Sequence, residues 1–230
     1  MVALGCLHAH HSNIAYIDQI LVPYEIATIH FVDPGLMRRI THDPGFAGEH
    51  ALRRVRHQLE WMAACDVDAI LLTCTNYIAE LGHQSIDLGL PVIKIDEPFF
   101  AYLCQQPSPQ TLLFTNPATV DGTTRRMHDY ANQHACSLDV DVQLIEGSFE
   151  IFMAGKKAEY DRAVAQGIRQ IVSSVGSGNG GSVAVGQLSI ADAALRVSRE
   201  LDVPIGNPLE PLRDHLVELL DLEINDSQSD

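Results

Sequence analysis

One segment carries the clearest structural signal in the sequence, and it reads Asp68-Ala69-Ile70-Leu71-Leu72-Thr73-Cys74-Thr75-Asn76. Its apolar part is short and continuous, which is typical of a strand buried on both faces of a parallel sheet. The polar residues that follow predict a turn and the start of a helix. The chain therefore places a cysteine where a buried strand meets a helix.

Strand-like and helix-like runs alternate along the rest of the chain. The other predicted strands are Val2–Leu7, Glu25–Val32, Pro91–Ile95, Thr111–Thr115, Val140–Ile145, Val183–Gln187 and Val203–Ile205. The predicted helices are Gly48–Ala64, Ile78–Leu88, Val120–Ala135, Phe149–Ala154, Glu159–Val172, Ile190–Leu201 and Leu209–Leu222. This alternation predicts an α/β fold of parallel βαβ units, in which ligands bind at the carboxyl ends of the strands.

The two halves of the chain contain a similar element. The strand Val183–Gly186 leads into Gln187-Leu188-Ser189 and a helix, just as Asp68–Thr73 leads into Cys74-Thr75-Asn76 and a helix. This repetition predicts two similar lobes. Glu97–Pro109 contains three prolines and is the expected crossing between them.

Composition and charge exclude several classes of protein. The chain has 230 residues, of which 46% are hydrophobic, so it can bury a proper core and is not expected to be disordered. A total of 15 basic and 30 acidic residues gives a formal net charge of −15, which opposes binding to nucleic acid or to an anionic membrane surface. No apolar run reaches the roughly 18 residues that a membrane-spanning helix needs.

The cysteines are odd in number, and no two form a Cys-x-x-Cys pair; they are Cys6, Cys65, Cys74, Cys104 and Cys136. This pattern predicts free thiols in a reducing compartment rather than a disulfide framework. The N-terminal residues lack the basic and apolar regions of a signal peptide, so the expected location is the cytoplasm.

Cys74 is the strongest candidate for chemistry. Unpaired N–H groups and the helix dipole favour the thiolate form of a cysteine at a helix start. Thr75 and Asn76 add hydrogen-bond donors and can cap the helix. The alternative is a buried structural thiol, since free cysteine is among the most buried residue types, and this is the interpretation adopted for the other four cysteines.

Three other segments are weaker candidates. The turn Thr115–Thr119 offers hydroxyl and N–H groups that can hold a carboxylate or phosphate, or can simply cap a helix. The histidines after the first strand, His8, His10 and His11, can bind a metal, but no motif supplies further ligands, so a histidine in a pocket wall is favoured. The glycine-rich Gly176–Gly181 does not fit a phosphate-binding loop and is interpreted as a flexible connector.

Three segments together resemble those of the aspartate/glutamate racemase superfamily. Asp68–Asn76 resembles its first catalytic cysteine segment, and Phe114–Val120 resembles its Gly-Thr-x-Ala-Thr-Val turn. Val183–Ala191 resembles a branch of the superfamily whose second turn reads Ala-Gln-x-Ser-Met-Ala. The three segments occur in the same order and at matching spacing across nearly the whole chain.

The resemblance implies two flavodoxin-like lobes related by a pseudo-two-fold axis, with the active site in the cleft between them. The expected lobes are residues 1–96 with 207–230, and residues 97–206. The resemblance also implies a small carboxylate substrate and chemistry without a cofactor or metal, in which Cys74 is the catalytic thiol. The residues expected to bind the substrate are Thr75, Asn76, Thr115, Thr119, Gln187, Ser189 and His8. A homodimer stays open, because the sequence carries no interface signature.

One departure from the two-cysteine members limits the expected reaction. Gln187 stands at the position of the second cysteine, and an amide is neither an acid nor a base near neutral pH, so two-base racemisation is not expected unless a histidine from His8–His11 replaces it. The favoured function is racemase-like or isomerase-like chemistry through Cys74. The alternatives are a one-thiol decarboxylase, a cis-trans isomerase, a non-catalytic binder of small acids and, least favoured, a histidine-based metal hydrolase.

Overall fold

The computed structural model describes residues 1–43, 45–46, 48–82, 87–176 and 181–225. The chain forms two compact units. Unit 1 comprises Met1–Glu97 and Leu212–Asp230, and unit 2 comprises Pro98–Pro211. Helices α5 (Asp96–Gln105) and α10 (Leu209–Leu220) contain the two unit boundaries.

Unit 1 is built on a four-stranded parallel sheet with the order β2-β1-β3-β4. Its strands are β1 (Val2–His8), β2 (Ile26–Val32), β3 (Ala69–Leu72) and β4 (Val92–Lys94). Its helices are α1 (Asn13–Leu21), α2 (Pro34–His42), α3 (Glu49–Ala63) and α4 (Thr75–Leu81). Every residue of β3 is buried, as its continuous apolar sequence predicts.

Unit 2 repeats this architecture with a sheet of order β6-β5-β7-β8, again parallel throughout. Its strands are β5 (Gln110–Phe114), β6 (Val140–Leu144), β7 (Ser182–Val185) and β8 (Ile205–Gly206). Its helices are α6 (Val120–Gln133), α7 (Ser148–Met153), α8 (Lys157–Gly176) and α9 (Ala191–Leu201). The predicted α/β class with two parallel sheets is confirmed.

The strand registers align the two units residue by residue. Leu7 pairs with Leu72 between β1 and β3, and Leu113 pairs with Val185 between β5 and β7. Leu7 therefore corresponds to Leu113, and Leu72 corresponds to Val185. Cys74 lies two residues after Leu72, and Gln187 lies two residues after Val185. The two residues therefore occupy equivalent positions.

The chain order fixes where chemistry can occur in each sheet. From β1 the chain moves outward to β2 and then returns to β3 on the other side of β1. The connections that leave β1 and β3 therefore diverge, and a crevice opens at the carboxyl edge between these strands, where such folds bind ligands. The same reasoning applies to β5 and β7 in unit 2.

Several predicted elements were wrong in their limits. The helix expected at Ile78–Leu88 spans Thr75–Leu81 instead, because Cys74 is its N-cap and Gly82, with φ of 56°, ends it. Residues 83–86 lie outside the described ranges. The expected crossing at Glu97–Pro109 does contain the boundary between the two units, at Glu97 and Pro98, and it is mostly helix α5. The sequence reading also missed α1 and α2, although Asp33-Pro34 is a capping signal: the Asp33 carboxylate accepts the Leu36 N–H at 3.1 Å.

The expectation of five free thiols is wrong for two of them. A disulfide joins Cys104 of α5 to Cys136, just beyond α6, whereas Cys6, Cys65 and Cys74 are free. The bridge forms because α5 and α6 pack on the same face of the sheet, where the rings of Phe100 and Tyr130 lie 5.9 Å apart. An odd number of cysteines is compatible with one disulfide and three free thiols. The count therefore could not reveal this bridge.

Two other expectations concern a connector and the membrane. The expected connector Gly176–Gly181 falls largely on residues outside the described ranges. Each helix within the described ranges is too short or too polar to cross a bilayer.

Gly186 provides a test of the packing beneath the unit 2 turn. A Cβ at this position would lie 2.5 Å from Cζ of Phe114, a ring that is fully buried. We expect Gly186→Ala to lower the free energy of unfolding by about 1–3 kcal/mol through overpacking. Urea unfolding followed by circular dichroism measures the change.

Gly122 is the matched control for this substitution. It lies on the exposed face of α6, and a Cβ there would meet no atom within 4 Å. Gly122→Ala should raise the free energy of unfolding by roughly 0.5–1 kcal/mol, because alanine favours the helix more than glycine does. Equal effects from both substitutions would contradict the packing argument.

Candidate active site

Cys74 lies where the sequence placed it, between the end of β3 and the start of α4. It is the N-cap residue of that helix and has extended backbone geometry. Its position follows from the buried strand, which runs straight to the carboxyl edge of the sheet beside β1. Thr75 is half-buried and Asn76 is exposed in the first turn of the helix.

The thiol of Cys74 is more deeply enclosed than the sequence suggested. The residue is 9% exposed, and its Sγ lies 3.9 Å from Sδ of Met37. The backbone N–H groups of Asn76 and Tyr77 favour the thiolate, but burial outweighs them and raises the pKa of the Cys74 thiol. The expectation of a partly ionised thiolate is therefore wrong: at neutral pH this group is a protonated thiol.

Tyr77 and Asp33 organise the chain next to Cys74. The Tyr77 hydroxyl donates to the backbone carbonyl oxygen of Asp33, and burial raises the pKa of this phenol. The Asp33 carboxylate accepts hydrogen bonds from Arg54 at 3.0 Å and from Gln58 at 2.6 Å. These contacts hold the connection between β2 and α2 against α3 and α4. Helix α2 contains Met37, the residue in contact with Cys74.

His8 is fully buried at the end of β1 and belongs to a chain of polar contacts. Its Nδ1 lies 2.9 Å from Oγ1 of Thr73, and its Nε2 lies 2.9 Å from Nδ1 of His30. The Nε2 of His30 in turn lies 2.9 Å from Oδ1 of Asp18. Burial, reinforced by the neighbouring His30, lowers the pKa of His8 to about 4 and keeps the ring neutral. His8 thus joins β1 to Thr73, the residue before Cys74.

The other histidines of this segment do not join His8. His10 contacts Ser12, its ring lies 4.3 Å from the ring of His11, and both rings lie in the exposed turn before α1. Within the described ranges, the residues that cluster as metal ligands are Cys6, His8 and His30. The trio His8, His10 and His11 considered from the sequence is therefore not assembled.

In unit 2, the side chain of Gln187 fills the turn that follows β5. Its Oε1 accepts the Thr115 N–H at 2.7 Å, the Thr115 hydroxyl at 3.0 Å and the Asn116 N–H at 3.2 Å. Its Nε2 donates to the Thr119 hydroxyl oxygen at 3.0 Å. The donors that the sequence assigned to a substrate carboxylate are thus held by an amide oxygen of the protein itself.

Ser189 joins the same network through a residue that the sequence analysis missed. The Tyr160 hydroxyl lies 3.0 Å from Oγ1 of Thr115 and donates to Oγ of Ser189 at 3.2 Å. Tyr160 lies on the buried face of α8, and its sequence pattern is that of an ordinary core residue. Only the fold shows that its hydroxyl ends among the polar residues of the turn.

Each unit therefore assembles part of the predicted site. Unit 2 brings together all four of its predicted residues, Thr115, Thr119, Gln187 and Ser189, in one hydrogen-bond network. Unit 1 places His8 beside Thr73, immediately before Cys74. Unit 1 also has a cavity along β2 and α3, lined by residues that include His30, Asp33, Arg54, His57 and Trp61, and neither Cys74 nor His8 is among the described residues that line it.

The fold matches solved structures of known racemases and a decarboxylase. Aspartate racemase from Picrophilus torridus superposes with a TM-score of 0.62 at 12% identity, with 99% of this chain and 97% of that chain covered. Allantoin racemase from Klebsiella pneumoniae has a TM-score of 0.62 at 17% identity, with 96% and 88% covered. Unliganded arylmalonate decarboxylase has a TM-score of 0.54 at 11% identity, with 95% and 93% covered.

These matches confirm the resemblance at the level of the fold. The chain has the same two-sheet α/β fold as these two racemases and this decarboxylase. No protein-family model matches the sequence, and no curated protein sequence does.

The enclosed thiol makes a prediction about alkylation. Because the thiolate is the reacting form and the pKa of Cys74 is raised, iodoacetamide should label Cys74 slowly at pH 7, and the rate should increase about tenfold per pH unit below that pKa. Cys65, which is more exposed, is the internal reference. Peptide mass spectrometry of timed samples measures both, and faster labelling of Cys74 than of Cys65 at pH 7 would contradict the assignment.

The Gln187 network makes a prediction about stability. Gln187→Ala removes the acceptor of three hydrogen bonds and should lower the free energy of unfolding by about 1–3 kcal/mol. Gln143→Ala is the matched control, since the Gln143 amide donates to an exposed carboxylate, that of Asp141, and its effect should stay within roughly 0.5 kcal/mol. Similar losses in the two variants would show that the network adds nothing to stability.

Proposed function

We propose that this chain is a cofactor-independent enzyme of the aspartate/glutamate racemase superfamily that acts on a small carboxylate through the thiol of Cys74. The observation that carries the proposal is the placement of Cys74 at the carboxyl end of β3, as N-cap of α4, where the backbone N–H groups of Asn76 and Tyr77 favour a thiolate. The solved racemases and the decarboxylase with this fold support the class of reaction.

The resting thiol is a proton donor in this proposal. When a carbanion forms alpha to the substrate carboxylate, the S–H bond breaks, a C–H bond forms at that carbon, and the sulfur keeps the electron pair as a thiolate. The N–H groups of Asn76 and Tyr77 favour this thiolate and partly offset the burial of the sulfur. A proton from solvent then restores the thiol.

The residues at the two equivalent turn positions favour proton transfer by a single group. Cys74 is titratable, whereas the Gln187 amide is not and its oxygen is already bonded to the turn after β5. Decarboxylation fits this arrangement: the bond to the departing carboxylate breaks, carbon dioxide leaves, and the remaining electron pair takes the proton of Cys74. Racemisation or isomerisation requires the thiol to lose its proton first, which burial opposes.

The test is a turnover assay with Cys74→Ser and the matched variant Cys65→Ser. Each protein is incubated in deuterium oxide with aspartate, glutamate, hydantoins, maleate and substituted malonates, and products are followed by proton NMR. Loss of the S–H donor should lower the rate at least 100-fold in Cys74→Ser, in line with the usual contribution of general acid catalysis, and Cys65→Ser should keep the wild-type rate.

The substrates also separate the reaction types. Decarboxylation releases carbon dioxide from a malonate and leaves one deuterium on the product, whereas racemisation places deuterium on the alpha carbon of an unchanged acid. Because Cys74 acts as the acid, kcat/KM should stay constant through neutral pH and fall only above the raised pKa of Cys74, which lies above the ordinary thiol value of 9.0. Full activity of Cys74→Ser on a substrate that wild type converts would end the proposal.

A further inference from the structure

We propose that Cys6, His8 and His30 form a binding site for one divalent transition-metal ion of the Zn²⁺ type in unit 1. The three side chains, the Cys-His-His cluster, bring one sulfur and two ring nitrogens within 4.8 Å of one another. Cys6 and His8 are two residues apart on β1 and so point to the same face of the sheet, and His30 stands opposite Cys6 on β2. A thiolate with imidazole nitrogens is a ligand set that Zn²⁺ prefers.

The fold itself does not require polar side chains at these positions. By the strand registers, the equivalents of Cys6, His8 and His30 in unit 2 are Leu112, Phe114 and Val142, in that order. These three apolar residues belong to the hydrophobic cluster beneath α5 and α6. Unit 1 thus has a thiol and two imidazoles where the same architecture is stable with hydrocarbon, at the cost of burying polar groups.

The neighbouring acceptors fix where the ring protons lie. The Asp18 carboxylate can only accept, so the Nε2 of His30 carries a proton and its Nδ1 has a lone pair. The Thr73 hydroxyl donates to the Leu7 carbonyl oxygen, so it accepts from Nδ1 of His8 and leaves a lone pair on Nε2. Two lone pairs then face each other across 2.9 Å, and either a shared proton or a metal ion between them relieves this arrangement.

The same acceptors are the outer partners that a metal site needs. In metal sites the second ring nitrogen of a ligating histidine usually donates to a carboxylate or another oxygen, as His30 does to Asp18 and His8 does to Thr73. For a tetrahedral ion with Zn–N bonds of about 2.0–2.1 Å, the two nitrogens must separate to about 3.3 Å, a shift of a few tenths of an ångström. On binding, the Cys6 thiol releases its proton to solvent and ligates as the thiolate.

The ion has a route from solvent. Cys6 and His8 are fully buried, but the side chains of His30 and Asp18 keep 16% and 45% of their exposure. The fourth coordination position is therefore expected on the His30 side, where a water molecule can occupy it. The proposal is independent of the enzymatic one, because Cys74 takes no part in the cluster.

The experiment is a metal titration of the full chain after treatment with a chelator. One equivalent of Co²⁺ should produce a thiolate-to-cobalt charge-transfer band in the near ultraviolet, and one equivalent of Zn²⁺ should remove it. Excess Mg²⁺ should not, because a hard cation prefers oxygen ligands. Absence of the band, with no Zn²⁺-dependent rise in Tm, would overturn the proposal. The contact between His8 and His30 would then be explained by a proton shared between the two rings.

Variants test the assignment of ligands. Cys6→Ala should lose the band, His30→Val should weaken Co²⁺ binding more than about 100-fold, and Asp18→Asn, which keeps all three ligands, should weaken it roughly 10–100-fold. His30→Val introduces the residue found at the equivalent place in unit 2, and circular dichroism checks that each variant is folded.

The controls for these variants are Cys65→Ser, His57→Gln and Cys74→Ser. All three substitutions lie in unit 1 outside the Cys-His-His cluster, so each protein should bind Co²⁺ as the wild type does. A band that persists in Cys6→Ala, or that disappears in Cys65→Ser, would overturn the assignment. Cys74→Ser distinguishes the two proposals, because it should abolish turnover and leave metal binding unchanged.

Discussion

The hydrogen bonds between β1 and β3 at their carboxyl ends are the constraint on which the unit 1 site depends. The Leu7 carbonyl oxygen accepts from both the backbone N–H and the hydroxyl of Thr73, each at 3.1 Å. This anchors the last residue before Cys74, so the sulfur has one position relative to the helix that begins next to it. The same burial that shields the hydrogen bonds between Thr73 and Leu7 from water also keeps the Cys74 thiol protonated. The fixed position of the sulfur and its protonated state therefore have one cause.

The two units show how one architecture carries different chemistry. At the end of the first central strand, unit 1 has His8 and unit 2 has Phe114, and at the start of the following turn unit 1 has Thr73 where unit 2 has Gly186. In unit 1 the pair is joined by a hydrogen bond, whereas in unit 2 the aromatic ring fills the space that a side chain at Gly186 would need. The same backbone is thus compatible with a polar pair of side chains in one unit and an apolar contact in the other. Residues at these positions can change with function while the fold stays the same.

The sequence predicted what depends on local pattern and missed what depends on distant contacts. Strand β3, helix α3 and the position of Cys74 follow from runs of apolar residues and from capping, so they could be predicted. The protonated state of Cys74 depends on Met37 and the surrounding core, which no local pattern reveals. The cluster with His30 and the disulfide at Cys104 depend on strand pairing and helix packing between segments far apart in sequence, so neither could be read from spacing.

The side chain of Gln187 occupies the N–H groups of the turn after β5, so any acid that bound there would have to compete with it. Its amide oxygen takes the place of one carboxylate oxygen, and it is always present at the high effective concentration that a short covalent tether ensures. An incoming acid can use those donors only in the fraction of molecules whose glutamine has swung aside, and its apparent affinity falls by that fraction. The same side chain keeps the N–H groups of the turn hydrogen-bonded when no acid is bound, and its cost to binding is the same factor for every acid.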